Sequence, residues 1–172
     1  MRREFRVPPL VWWSLAGLVV AAALGGIVYW LNRGSQARLE VQWLKVRTIA
    51  TGPESSLAVF DLRIHNPSRV LFQVKEVEAA VVDAGGVRQE GMVAAETDLD
   101  RVLGYYPLAG PRYSPVLKFR ERIRGGERVD RTVAASFSVP VGALESRRHF
   151  ELRIQDADGA VVTAVEGAGR GR

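Results

Sequence analysis

The sequence contains no cysteine, and that absence removes several classes of fold and site. A chain without thiols has no disulfide scaffold, no lipid-modified cysteine anchor, no thiol nucleophile and no cysteine-ligated zinc or iron-sulfur centre. There are only two histidines, His65 and His149. Beyond their strand neighbours Asp61 and Glu151, neither has another His, Asp or Glu at a metal-ligand spacing. We therefore expect two surface histidines and no bound metal.

Catalytic and nucleotide-binding motifs are also missing. There is no Gly-x-Ser-x-Gly elbow, phosphate-binding loop, dinucleotide fingerprint or His-Glu-x-x-His sequence. The formal net charge of +5 arises from 24 basic and 19 acidic residues that are mixed along the chain, a balance that argues against a nucleic-acid partner. We expect a protein that is not an enzyme and that carries no cofactor.

One long hydrophobic run lies at the N-terminus, where residues 10–31 read LVWWSLAGLVVAAALGGIVYWL without a charge. As a helix this run would be about 33 Å long, enough to cross a hydrocarbon core of about 30 Å. Both ends carry aromatic side chains of the kind that lie at the headgroup level. These residues are Trp12, Trp13, Tyr29 and Trp30. We predict one transmembrane helix that is retained as a signal anchor.

The basic residues on the two sides of this run are nearly balanced, so the layout of the chain sets the predicted orientation. A short basic tail at 1–9, one helix and then a folded domain are typical of a signal anchor with a cytoplasmic N-terminus. We predict a single-pass protein of the inner (plasma) membrane, with a stalk at 32–40 and a domain outside the cytoplasm. The alternative is a signal peptide that is cleaved near Ala21-Ala22-Ala23.

Small residues recur within the predicted helix. Gly17, Ala21 and Gly25 are spaced by four and fall on one helix face. Such a face lets two helices approach closely, which makes a homodimer one candidate assembly. Chance alignment is the alternative in a helix this rich in glycine and alanine.

From Leu39 onward the hydrophobic period changes to two, which is typical of strands with one buried face. Clear alternation at 58–65 and 129–139, with glycine-rich turns between similar runs, predicts about eight strands. The other six runs are 39–49, 70–83, 87–94, 114–123, 148–155 and 160–166. We predict an all-β fold, an antiparallel fibronectin- or immunoglobulin-like β-sandwich over 41–166, and a disordered tail at 167–172.

Three local features refine this prediction. The apolar parity changes across Lys75-Glu76, which indicates a β-bulge. Thr97–Leu103 could form one or two helical turns. Asn66-Pro67 should end the preceding strand, because proline has no amide donor and favours an extended conformation in the residue before it.

The strand that ends in Asn66-Pro67-Ser68, the run that follows it to Val82 and the later Gly125-Gly126 turn resemble the type-2 late embryogenesis abundant (WHy-type) domain. The resemblance covers roughly residues 41–139 and consists of strands and turns. It implies a fibronectin-like sandwich, a role in desiccation and stress tolerance, and no enzymatic chemistry. The sequence departs from that family by an excursion at 96–115 and a hairpin at 148–166. The chain is also similar to uncharacterised bacterial single-pass membrane proteins that carry such a sandwich.

A stiff loop at 103–115, LGYYPLAGPRYSP, is the first candidate binding surface. It contains Tyr105, Tyr106 and Tyr113 among three prolines, and stiff aromatic loops bind partners with little loss of entropy. The same composition also suits a lid that packs over one end of the sandwich.

Basic residues at alternate positions form the second candidate surface. On a strand, they would project as a ladder that could meet anionic lipid headgroups, or they could simply form a solvated strand face. They are Lys118, Arg120, Arg122 and Arg124. Glu121 has the opposite parity, and we predict that it pairs with Arg131.

Together these features predict a membrane-anchored, non-enzymatic β-sandwich that acts as a binding scaffold or accessory subunit in the cell envelope, with a protein partner. The first alternative is a stress-protective module of the type-2 family. The second is a carrier of a lipid or another apolar ligand, which would require an apolar cavity.

Overall fold

The computed structural model describes residues 18–19, 21–27 and 38–168. The first two ranges are helical, and in the described parts of the chain no helix has the length and apolar content needed to span a bilayer. Most of the predicted transmembrane segment, residues 10–31, lies outside these ranges. The aromatic residues assigned to its ends lie outside them as well, namely Trp12, Trp13, Tyr29 and Trp30.

The domain that follows contains eight strands and three short helical segments. The strands are β1 (Glu40–Gly52), β2 (Ser55–His65), β3 (Phe72–Val82), β4 (Arg88–Val93), β5 (Arg122–Ile123), β6 (Arg128–Phe137), β7 (His149–Asp156) and β8 (Val161–Val165). The helices are α1 (Glu96–Tyr105), a 3-10 turn (Pro107–Ala109) and α2 (Val141–Glu145).

Hydrogen bonds join these strands into one sheet of order β1-β2-β6-β4-β3-β7-β8, and β5 pairs with the start of β3. All the strand pairs of the described domain are antiparallel. An isolated bridge between Val116 and Thr132 is parallel. The predicted all-β antiparallel fold of about eight strands is therefore confirmed.

Strand β4 pairs with both halves of this sheet, which are β1-β2-β6 on one side and β3-β7-β8 on the other. Its residues Arg88–Gly91 pair with β3, whereas Met92 and Val93 pair with β6. At the crossing point Gly91 lies so close to Phe137 that a Cβ atom would be 2.6 Å from the ring. Because β4 connects the halves, the expected pair of separate sheets is instead one continuous sheet that curls over its own core.

Aromatic side chains fill the space between the two halves. The ring of Phe60 lies edge-on to Trp43 and to Phe150, with centroid distances of 5.3 and 4.9 Å. Phe137 lies 5.7 Å from Phe150, which extends the contact to the end of β6. Such edge-to-face packing adds to the free energy gained by burying the rings. Leu39, the residue before β1, is buried in the same core, so the folded domain begins just before β1.

The predicted bulge in β3 is confirmed. Val74 pairs with Asp156 and Glu76 with Gln155, so Lys75 is the extra residue. At the C-terminal end of the domain, Gly167 and Ala168 form part of a turn, and residues 169–172 lie outside the described ranges.

The predicted end of β2 at Asn66-Pro67 is also confirmed, and Asn66 has a second role. Its side chain is fully buried, and its amide donates to the carbonyl oxygens of Val70 at 2.9 Å and Ile123 at 3.0 Å. The backbone carbonyl oxygen of Asn66 accepts a hydrogen bond from the Gly126 amide at 2.7 Å. Asn66 therefore ties the β2–β3 connection to the hairpin that precedes β6.

Replacement of Asn66 by alanine should lower the free energy of unfolding by about 1 to 3 kcal/mol, because the buried Ile123 carbonyl loses its donor. Asn66→Asp should cost more, since an isosteric carboxylate would face two carbonyl oxygens. Urea denaturation of the full chain in detergent, followed by circular dichroism, measures both effects. Ser138→Ala, which removes an exposed hydroxyl away from this network, serves as the control. Equal stabilities for Asn66→Asp and this control would contradict the assigned role.

Candidate functional site

The excursion at 96–115 covers the outer face of β2 and β6. Helix α1 is amphipathic, and its buried residues Leu99 and Leu103, four apart, lie on the same side. They form a second core with residues of the sheet and of the following loop, namely Leu57, Val59, Ala109, Val116 and Ala134. A lid over one end of the sandwich was one of two predicted roles for the loop at 103–115, and the loop instead covers a face of the sheet.

A buried ion pair holds this cover in place. The Arg47 guanidinium on β1 donates to the Asp61 carboxylate on β2 at 3.0 Å, and the two side chains are only 10% and 5% exposed. The same guanidinium donates to the carbonyl oxygens of Ala109 and Pro111, the latter at 3.0 Å. Thr132 donates its hydroxyl to the other Asp61 oxygen at 2.9 Å. The charges at the sheet face are therefore paired, and the loop is bound through its backbone.

The exposed side of the excursion carries apolar and aromatic side chains. Tyr105 is 77% exposed and Leu108 is 91% exposed. Tyr106 is half-buried and packs edge-on against Tyr105, with ring centroids 4.8 Å apart. Tyr113 lies apart from this pair, with the Lys45 ammonium and the Arg47 guanidinium each 5.1 Å from its ring. The three predicted tyrosines thus form two groups, and the exposure of Leu108 beside them was not predicted from the sequence.

The predicted strand at 114–123 is wrong, and so is the continuous basic ladder that depended on it. Only Arg122–Ile123 forms a strand, and residues 118–121 make a turn in which Arg120 has a φ of 59°. The backbone turns because the amide of Arg120 and the carbonyl of Glu121 both bond to Val74 of β3. The four predicted basic residues are nevertheless all exposed, namely Lys118, Arg120, Arg122 and Arg124.

The predicted contact between Glu121 and Arg131 is confirmed. Arg131 donates from Nε to the Glu121 carboxylate at 2.6 Å, and both side chains are largely buried. The second carboxylate oxygen accepts the backbone amide of Lys118 at 3.0 Å. Lys118 also forms an ion pair with Glu96 at the start of α1. These contacts fasten the 118–121 turn to both β6 and the excursion.

Each histidine has one carboxylate neighbour and a side chain less than one third exposed. His65 lies 3.2 Å from Glu40 on β1, and His149 lies 3.3 Å from Glu151 on its own strand. In the described ranges, no three His, Asp or Glu side chains gather closely enough to hold a metal ion.

Comparison with known proteins assigns no family to the chain. No protein-family profile matches it, and no curated protein matches it. A Bordetella pertussis protein provisionally named ApaA superposes at 14% identity with a TM-score of 0.38, over 75% of this chain and 88% of its own. An uncharacterised β-sandwich protein from Clostridium difficile 630 superposes at 10% identity with a TM-score of 0.36, over 76% and 89%. These superpositions are too weak to support a statement about family or function.

The Arg47–Asp61 pair was not predicted from the sequence, although one signal for it was present. Asp61 shares its parity with Leu57 and Val59, so the face expected to be polar also carries apolar residues. A strand with apolar residues on both faces is normally covered on both sides. That pattern indicates a second cover for β2, but the residues that supply it are distant in the sequence.

We expect Asp61→Asn to destabilise the domain by about 3 to 5 kcal/mol, because it leaves the buried Arg47 charge without its partner. Amide hydrogen exchange in the full chain should rise most at residues 106–116. The double variant Arg47→Met/Asp61→Asn should be less destabilised than Asp61→Asn alone, since no buried charge then remains.

The matched control is Asp130→Asn on the neighbouring strand. Arg63 donates to both oxygens of Asp130 at 2.8 and 2.9 Å and lowers the pKa of this carboxyl, but both side chains are about two-fifths exposed. Solvent screens such a pair, so its loss should change stability little. Equal losses for Asp61→Asn and Asp130→Asn would contradict the anchoring role of the buried pair.

Proposed function

We propose that this protein is a membrane-anchored binding subunit of the cell envelope, whose β domain lies outside the cytoplasm and binds a protein partner through the excursion at 96–115. The anchor is the apolar segment 10–31, with its aromatic ends and the basic tail that precedes it. The proposed domain is a fibronectin-like sandwich derivative of the kind that the type-2 late embryogenesis abundant resemblance implies.

The observation that carries this proposal is the contrast between the two sides of the excursion. Its underside is immobilised by the second core and by the Arg47–Asp61 pair, whereas Tyr105 and Leu108 stand exposed at its surface. Exposed apolar side chains on a well-packed support suit protein contacts, because little conformational entropy is lost on binding. Tyrosine is also among the residues that most often dominate binding energy.

The carrier alternative has less support. Fully buried aromatic side chains, including Phe60, Phe72 and Phe150, occupy the interior between the two halves of the sheet. One surface groove is lined by four charged side chains, Arg88, Glu90, Glu151 and Arg153, beside Val161 and Thr163. Another combines Trp43, Leu44 and Val46 with Lys45, Arg147 and Glu166, so neither groove is the apolar cavity that a carrier would need. The stress-protective alternative rests on the family resemblance alone.

The partner surface can be tested by photo-crosslinking in intact cells. A photoreactive amino acid at position 108 should yield a discrete crosslinked product, whereas the same group at exposed Val87, in the β3–β4 turn, should not. Tyr105→Ala should weaken the product, since loss of a tyrosine anchor costs about 2 kcal/mol, or roughly thirtyfold in affinity. The same products from positions 87 and 108 would contradict a specific partner surface.

The location of the domain is a separate prediction. Added protease should degrade residues 38–168 in spheroplasts while a cytoplasmic marker protein stays intact. Degradation only after the inner membrane has been lysed would contradict the proposed orientation. Recovery of the chain in the soluble fraction without residues 1–23 would instead support the cleaved signal peptide.

A further inference from the structure

The turn at residues 118–121 has features that the proposed partner surface does not explain. Phe119, at its tip, is 67% exposed, and Arg120 is a non-glycine residue with a positive φ of 59°. Residues other than glycine seldom adopt this left-handed region, and they keep it only where the surroundings impose it. The turn therefore holds a large apolar ring in solvent by an uncommon backbone conformation.

The surroundings of the turn make it rigid. The Arg120 amide donates to the Val74 carbonyl at 2.7 Å, and the Val74 amide donates to the Glu121 carbonyl at 2.9 Å. The Glu121 carboxylate accepts hydrogen bonds from the Lys118 backbone amide and from the Arg131 side chain. Phe119 is thus an exposed side chain on a fixed support, and its exposure does not arise from a frayed loop.

Positive charge surrounds the exposed ring. The Arg120 guanidinium lies over Phe119, 5.2 Å from the ring centroid, and Arg122 and Arg124 are exposed on the adjoining segment. Within the described residues no carboxylate forms an ion pair with these three guanidinium groups.

Four of the acidic groups around the turn are bound to other partners. Glu121 pairs with Arg131, Glu96 pairs with Lys118, and Glu127 accepts the Arg124 backbone amide at 2.7 Å. The buried Asp156 accepts the Gln73 amide at 2.6 Å. The surface consequently combines one apolar ring with three cations that have no ion-pair partner in the part of the chain that the structure describes.

The hairpin at residues 124–127, which joins β5 to β6, lies at the end of the domain where β1 begins. At that end Glu40 of β1 pairs with His65 of β2, which pairs with Arg128 of β6. In the sequence, eight residues, 32–39, separate β1 from the apolar segment, and a linker of that length reaches at most about 28 Å. If residues 10–31 span a membrane, as proposed above, the anionic surface available to this end of the domain is that of a lipid bilayer.

We propose that the 118–121 turn and its flanking arginines bind the surface of an anionic lipid bilayer. Phe119 enters the headgroup layer, and Arg120, Arg122 and Arg124 contact lipid phosphates. An apolar side chain flanked by arginines matches the chemistry of that layer, where rings lie among headgroups and cations meet negative charge. The choice of lipid rests on the proposed membrane anchor, but it is independent of the partner surface on the excursion.

The absence of cysteine in the natural chain allows a site-specific test. Phe119→Cys, labelled with an environment-sensitive fluorophore, is placed in full-length protein in nanodiscs of phosphatidylcholine alone or mixed equally with phosphatidylglycerol. We expect quenching by the neutral, water-soluble quencher acrylamide to fall at least about threefold in the anionic discs, because the label enters the headgroup layer. A label on Val87→Cys should show no difference between the discs.

Charge variants test the role of the arginines. Arg120→Gly, which suits a positive φ, combined with Arg122→Gln and Arg124→Gln, should remove the protection in anionic discs. Each arginine near such a surface contributes about fivefold in binding. The control removes the same charge elsewhere through Arg101→Gln, Arg148→Gln and Arg153→Gln, and should keep the protection.

Three results would overturn the proposal. The first is equal quenching in neutral and anionic discs that both contain inserted protein. The second is protection that survives the charge variants. The third is equal protection by soluble inositol hexakisphosphate with neutral discs, which would assign the surface to a free polyanion. Failure of the chain to insert into either disc would instead contradict the membrane anchor.

Discussion

The buried carboxylate of Asp61 lies in the middle of β2, a strand that contributes to both hydrophobic cores. On one face of β2, Phe60 and Leu62 pack into the main core, and on the other face Leu57 and Val59 pack under the excursion. A charge at this position is tolerable only when it is paired and hydrogen-bonded. Arg47 and Thr132 meet this requirement, and the same guanidinium binds two loop carbonyls. One polar network therefore joins the sheet to its cover.

Close backbone approaches determine how the sheet curls. At Gly91, β4 passes from β3 to β6 against the ring of Phe137, which leaves no room for a Cβ atom. At Gly125, a Cβ atom would lie 2.7 Å from the carbonyl oxygen of Ser68, next to the buried amide of Asn66. The first contact joins the two halves of the sheet, and the second closes one end of the domain.

The two proposed binding surfaces are supported in the same way but differ in the side chains that they expose. In each, an exposed aromatic side chain stands on backbone that is held from beneath by a buried or half-buried ion pair, Arg47–Asp61 under the excursion and Glu121–Arg131 under the turn. Rigid support reduces the entropy lost on binding. The excursion offers tyrosine and leucine, which suit a protein, whereas the turn offers phenylalanine and arginine, which suit a charged bilayer surface.

Alternation of side chains was enough to predict the long strands, the bulge at Lys75 and the Glu121–Arg131 contact, and Pro67 was enough to predict the end of β2. Each of these features depends on neighbours along one strand or across one hairpin. The same rule failed at 114–123. Basic residues from Lys118 to Arg124 alternate as in a strand, but backbone hydrogen bonds that join Arg120 and Glu121 to Val74 hold this segment in a turn. The pairing of Asp61 with Arg47, the donor role of Asn66 and the continuous sheet made by β4 could not be read from local pattern. Each depends on groups far apart in the chain, and only the folded chain brings those groups into contact.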